Sequence, residues 1–191
     1  AKAPIKPYMT VGFCFIKRLE MNSMSKKNMK NSKASDLIDE KVMKFHEKMM
    51  SAAIEEAKKA EIMGEVPIGA VIVKNGIIIG RGHNNRESSE SSLGHAEINA
   101  IREACLKMGS WRLTGCDIYV TIEPCPMCAG AIYQSRIRTI FYGANDFKAG
   151  ACGSLFNLFE QKGLNHYCNL VPGILKEEGS VIITEFFRKK R

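Results

Sequence analysis

The sequence predicts an α/β fold, a sheet layered with helices. Three observations predict it. Short apolar runs of strand type alternate with stretches of helical periodicity between residues 67 and 143. Asn75-Gly76 separates two such runs and marks a hairpin, because both turn positions need a positive φ. Pro126 comes a few residues after a strand and suits the first turn of a helix, where its missing N–H costs nothing.

Taken in order, residues 1–35 are rich in Lys, Asn, Ser and Met without a sustained period, and read as a basic, disordered leader. Ser35 or Asp36 can cap a helix in which Val42, Phe45, Met49, Ala52, Ala53, Ala57 and Ala60 recur at helical spacing, with Gly64 as its stop. His46 in that helix has no partner donor at a metal-binding spacing and reads as a packing or surface residue. Residues 67–73 form a strand, and residues 77–79 begin its return, which runs out near His83-Asn84. Residues 85–94 are a loop. Residues 95–108 are a helix closed by Gly109, 116–121 a strand, 127–135 a helix and 139–143 a strand. Residues 144–153 are a loop, followed by a short helix over 154–160. The segment 174–191 is ambiguous: Val181 to Thr184 favour strand by propensity, yet Leu175, Val181, Ile182 and Phe186 also suit a helix.

The 191 residues are 45% hydrophobic, enough for one domain with a real core, expected over residues 36–191. The net charge of +8 is uneven. Residues 1–35 carry +7 of it, and the remainder is almost balanced, so global charge says little about nucleic-acid binding by the folded part. A leader so poor in acids also leaves room for an organellar address, although it favours Lys over Arg. The seven cysteines are odd in number and irregularly spaced. That argues against a secreted disulfide scaffold and for a reducing, cytoplasmic setting. No apolar run approaches the roughly 20 residues that span a bilayer, so no membrane partner is expected.

The chemistry concentrates in His95-Ala96-Glu97 and Pro124-Cys125-Pro126-Met127-Cys128. One imidazole and two thiolates are three of the four donors a tetrahedral zinc takes, and a catalytic zinc keeps its last position for water. Cys125 and Cys128 fall in the first turn of one helix, where spacing puts both sulfurs on one side and the helix dipole favours thiolates. Both are therefore expected as thiolates before metal arrives. Glu97 lies two residues from His95, a spacing that does not stack on one helix face, so it suits proton transfer better than ligation. The competing reading is a closed structural zinc. Cys105, Cys116, Cys152, Cys168 or His166 could serve as its fourth ligand, but none forms a second ligand pair. Leftover cysteines otherwise read as small buried apolar residues.

His-Ala-Glu with Pro-Cys-Pro-Met-Cys resembles the zinc-dependent nucleoside deaminases, and most of all the bacterial tRNA-specific adenosine deaminases. The likeness runs from about Met43 to Arg191 and includes residues 65–71, His83-Asn84, 109–113, 120–125, 143–146, 153–155 and 185–188. It implies a three-layer α/β/α cytidine deaminase-like fold with a mixed five-stranded sheet, ending in a helix over 174–190. It also implies conversion of adenosine to inosine at the wobble position of a tRNA anticodon stem-loop by a homodimer with one Zn2+ per subunit. His95, Cys125 and Cys128 would hold the zinc, and Glu97 would shuttle protons between water, ring nitrogen and departing ammonia. Asn84 would hydrogen-bond the purine, Ile68 would pack on its face opposite His95, and Asp146 would contact the preceding nucleotide. Phe186, Phe187 and Arg188 would lie near the anticodon loop. Two departures concern loop shape: Gly94 precedes the His, and no proline follows the Glu.

The residues support part of this independently. An adenine edge needs a partner that both donates and accepts, as Asn84 can. A basic run beside two Phe suits single-stranded RNA. A guanine or other free-base deaminase on the same core is the rival, and it would need a closed lid rather than a basic tail. A zinc module that only binds RNA is the other.

Overall fold

The structure, a computed structural model, describes residues 32–190, with side chains from residue 39 onward. The basic leader expected over residues 1–35 therefore lies almost wholly outside the described residues. A compact unit spans Lys41–Arg191. Its elements are α1 (Ser32–Ile62, whose first residues precede the unit), β1 (Gly69–Lys74), β2 (Ile77–His83), α2 (Ala96–Met108), β3 (Cys116–Ile122), α3 (Pro126–Gln134), β4 (Thr139–Ala144), β5 (Asn169–Pro172) and α4 (Lys176–Lys189).

The five strands lie in the order β2-β1-β3-β4-β5. β1 is antiparallel to β2 and β3, whereas β3, β4 and β5 run parallel, so the sheet is mixed. Alternation along the strands separates two buried layers. Ala70, Ile72, Ile118, Val120, Ile140 and Tyr142 pack with residues of α2 and α3. Val71, Val73, Tyr119, Phe141 and Val171 pack on the opposite face with Met49, Met50, Ala53 and Ile54 of α1, and Ile182 of α4 packs against this layer. Helices therefore cover both faces, the expected three layers. His46 belongs to the second layer: its Nδ1 lies 2.8 Å from the Tyr119 hydroxyl and its ring stacks on Phe141 at 4.4 Å. It is a packing residue, as its isolation in the sequence implies.

Several expectations need correction. α1 is already helical at Ser32, so neither Ser35 nor Asp36 caps it; no breaker precedes them. The helix expected over 154–160 shrinks to one 3₁₀ turn, Leu158–Glu160, capped by the Asn157 side chain. Residues 150–156 instead close on themselves through backbone bonds to Gly150 and Gly153. β5 was invisible to periodicity because it has four residues and ends in a proline. The ambiguous last segment is helical, and its β-branched run Val181-Ile182-Ile183 falls on a helix that packs against the sheet.

β2 lies directly on α2. A Cβ on Gly82 would fall 2.2 Å from the Ala96 oxygen and 2.4 Å from the Ala100 nitrogen, and one on Gly80 would fall 2.3 Å from the Ala100 oxygen. Backbone cannot yield as a side chain tip can. Gly82→Ala is therefore expected to cost about 3 kcal/mol by overpacking, a fall in Tm of roughly 6–12 °C for a chain of this size. A thermal melt within about 2 °C of wild type would contradict that packing.

Candidate active site

The elements bring their functional ends to one edge of the sheet. Because β1 runs antiparallel, its start pairs with the end of β3 (Ala70 opposite Val120) and the end of β2 (Gly69 opposite His83). Ile68, Asn84, Glu123-Cys125 and the segment after β4 thus emerge side by side. In open α/β sheets this carboxyl end of the parallel strands is where ligands bind.

His95 and Cys125 are the N-cap residues of α2 and α3, each with extended backbone and neither using its side chain to cap the helix. Both side chains turn to a common point instead. Cys125 Sγ lies 3.7 Å and Cys128 Sγ 3.5 Å from His95 Nδ1. The three donor atoms all lie within 4.8 Å of one another, and among the described residues no fourth His, Cys, Asp or Glu joins them. Two helix starts therefore converge on one point, as the sequence suggests.

The thiols do not share one protonation state. Hydrogen bonds from Cys128 and then His95 hold Cys125 down at about 4, against the cost of burial. Cys128, which is buried, is pushed up by its bond to Cys125 and by desolvation. The bond to Cys125 also raises His95. This corrects the expectation of two ready-made thiolates: one charge forms easily, and the second is opposed by the first. A dication at this point fits the donors, since it takes the place of the protons they share. Cys116, Cys152 and Cys168 are buried and their thiols are pushed up by desolvation, as for inert packing residues.

Glu97 stands in the first turn of α2, only 3% exposed. Burial raises its carboxyl to about 7, with the nearby Cys125 charge adding to the rise and its own backbone amide and His95 opposing it. A carboxyl near neutrality can both take and return a proton at working pH.

Asn84 is buried, and its backbone N–H donates to the Ile68 oxygen at 3.0 Å, so the two residues assigned to the purine are neighbours. Its Nδ2 donates to Glu65 Oε2 at 3.3 Å. Asn99 of α2 donates to the His83 oxygen and to Asn85 Oδ1, both at 2.9 Å, tying this end of β2 to the helix that carries Glu97. Gly94 closes the 85–94 loop with a backbone bond to Asn85, and a Cβ there would lie 2.8 Å from Arg86 Cα. The departure at this position thus permits close approach within the loop.

Asp146 starts the loop after β4. Its Oδ1 accepts from the backbone of Lys148 and Ala149, and its own N–H donates to Glu123 Oε2 at 3.1 Å. Glu123 is a residue the sequence reading passed over. It is buried and accepts from Cys152 N, Ser154 N and the Ser154 hydroxyl, so it moors the Asp146 loop two residues before Cys125. Glu65 and Glu56 were also missed. Glu56 is buried and gathers Lys59, Arg81 and His83 around it. A carboxylate in an apolar neighbourhood, as in Glu65-Val66-Pro67-Ile68 and Val120-Thr121-Ile122-Glu123, was the available signal.

At the other rim, α4 is tethered to the end of α1. Lys189 pairs with Glu61 at 3.0 Å and Lys190 donates to the Gly64 oxygen at 3.0 Å. Arg188 is exposed, with a weak 3.7 Å contact to Glu185, and Phe187 is half exposed. Phe186 is buried beneath Lys190, so it packs rather than offering a face to RNA. Among the described residues no helix is long and apolar enough to cross a membrane.

Comparison with known proteins agrees with this geometry. The cytidine and deoxycytidylate deaminase zinc-binding region matches residues 43–144. The tRNA-specific adenosine deaminase of Bacillus subtilis (strain 168) is 52% identical over 142 residues, covering 74% of this chain and 88% of that one. A structure solved in work on A-to-I editing by tRNA:A34 deaminases at the wobble position of transfer RNA superposes with a TM-score of 0.66 at 42% identity, covering 70% of this chain and 97% of that one. A guanine deaminase from Bacillus subtilis aligns with a TM-score of 0.52 at 34% identity, over 75% of this chain and 94% of that one. On these matches, and with His95, Cys125 and Cys128 gathered as a metal site, the chain belongs to the cytidine and deoxycytidylate deaminase zinc-binding family.

Proposed function

We propose that the chain deaminates adenosine to inosine at the wobble position of a tRNA anticodon, with Glu97 as proton shuttle and Asn84, Ile68 and Asp146 as substrate contacts. The observation that carries the choice of substrate is the likeness to tRNA-specific adenosine deaminases, which exceeds in identity that to the guanine deaminase. The basic rim of α4, tethered beside Gly64, supports it.

In this reading His95, Cys125 and Cys128 hold the zinc. Zinc bound there supplies the Lewis acidity that makes water a usable nucleophile near neutral pH. Glu97 takes a proton from the attacking water as its oxygen bonds to C6 and delivers it to the adjacent ring nitrogen. It then takes the remaining hydroxyl proton of that adduct and delivers it to the amino group, which leaves as ammonia when its C–N bond breaks. Its burial keeps the proton from escaping to solvent between these transfers. Asn84 holds the purine edge, and Ile68 covers one face. Assembly as a homodimer, a location in the cytoplasm, and a deaminase domain over residues 36–191 complete the proposal.

Phe187 and Arg188 lie on the rim, where single-stranded RNA would be gripped by stacking and charge. Phe187→Ala is expected to raise KM for an anticodon stem-loop about tenfold with kcat unchanged, since a base–aromatic stack contributes about 1–3 kcal/mol. Arg188→Ala should reduce the salt slope of binding by about one. Steady-state kinetics and binding across a salt series measure both. The substrate itself is tested by ammonia release from guanine, free adenosine and the stem-loop side by side. Turnover of the stem-loop is expected. Robust guanine turnover with an inert stem-loop would overturn the reading.

A further inference from the structure

Glu65 is a buried carboxylate, 2% exposed, that the proposed chemistry does not use. It sits between α1 and β1, just past Gly64, and faces Asn84 and the start of the 85–94 loop. Its Oε1 accepts from the Ser88 backbone N–H at 2.6 Å. Its Oε2 accepts from the Glu87 backbone N–H and from Asn84 Nδ2, both at 3.3 Å. Three donors thus converge on one carboxylate. The backbone bonds from Ser88 and Glu87 hold it low in the carboxylate range against the cost of burial, so it stays ionised and acts only as an acceptor.

An asparagine amide can turn over and exchange its oxygen and nitrogen at little steric cost. Against an ionised carboxylate it cannot, because turning would set Oδ1 against Oε2. We infer that Glu65 is a positioning residue for the base: it holds Asn84 by the amide nitrogen and so fixes which end of that amide meets the purine. The inference rests on the proposed contact between Asn84 and the substrate. It adds that the hydrogen-bond polarity of the pocket is set one residue behind Asn84, by a group that need not touch substrate.

Glu65→Gln has the same shape with one acceptor fewer. If its oxygen stays on the close Ser88 N–H, its amide group faces Glu87 N–H and Asn84 Nδ2, and donor meets donor. Asn84 then relieves the conflict by turning over, presenting the wrong polarity to the base.

The test is a double-mutant cycle on the zinc-loaded full chain with an anticodon stem-loop, using Glu65→Gln, Asn84→Ala and the pair. Glu65→Gln alone should lower kcat/KM at least tenfold, mainly through KM, while in the Asn84→Ala background it should cost less than twofold. An equal loss in both backgrounds, or no loss in either, would overturn the inference. A second readout needs no variant: the Asn84 side-chain amide in wild-type protein should give NMR signals with at least one proton protected from solvent exchange. Two protons exchanging at solvent rates would overturn it even if Glu65→Gln fails to fold. A wild-type protein inert on the stem-loop would instead sink the proposed substrate, and the amide signals would still decide the role of Glu65.

Discussion

Glu97→Gln is expected to lower turnover about a thousandfold or more while zinc content stays at the wild-type level, because acid–base catalysis by one placed group contributes roughly 10²–10⁴. Glutamine preserves shape and cannot take or return a proton. The same change should stabilise the fold above neutral pH. Burial raises the Glu97 carboxyl from 4.5 to about 7, so the ionised form is penalised in the folded state. A raised carboxyl leaves folding unpenalised below its unfolded pKa, and stability is lost as pH rises through the folded one. For the chelated protein this loss amounts to about 3 kcal/mol by pH 8. Glu97→Gln should escape it, melting higher than wild type at pH 8 and similarly at pH 4. Activity assays, metal analysis and melts of the chelated proteins measure these effects. Retained turnover in the variant would remove Glu97 from the mechanism.

Removing a metal donor should abolish activity by a different route. His95→Ala, Cys125→Ala and Cys128→Ala are each expected to drop bound zinc from one per chain toward zero, and turnover to background with it. The three should differ in stability. Cys128 is fully buried in the first turn of α3, whereas His95 and Cys125 are only partly buried, so Cys128→Ala carries an added packing cost. Zinc binding should also weaken steeply with acid. His95 is raised and Cys128 is pushed up, so metal uptake displaces protons, and each proton released makes affinity fall about tenfold per pH unit below its pKa. Zinc titrations across pH 6–8 with a competing chelator measure this. An affinity independent of pH would contradict the shared-proton description of the pair.

How much of this was legible beforehand follows from what each feature depends on. The metal centre was readable because all its ligands lie in two short motifs, each at a helix start, and local spacing dictates their direction. The hairpin at Asn75-Gly76 and the strands up to residue 144 were readable for the same reason: turn chemistry and apolar runs are local. The protonation of the cysteine pair was not, because it depends on a contact between α2 and α3 that spacing does not report. β5 escaped because four residues carry no period, and it is a strand only because β4 offers an edge. Glu65 and Glu123 escaped because their partners are backbone N–H groups of remote loops. Phe186 and Phe187 are adjacent and alike in sequence. Only the packing of α4 decides that one is core and the other rim.

Zinc-edge X-ray absorption on the purified protein tests the metal centre most directly. The expected spectrum has two sulfurs and one imidazole as the protein donors, with the remaining scatterer a light atom exchangeable with solvent. A third sulfur or a second imidazole would mean that a further side chain closes the site, and the deaminase mechanism assigned to Glu97 would fall with it.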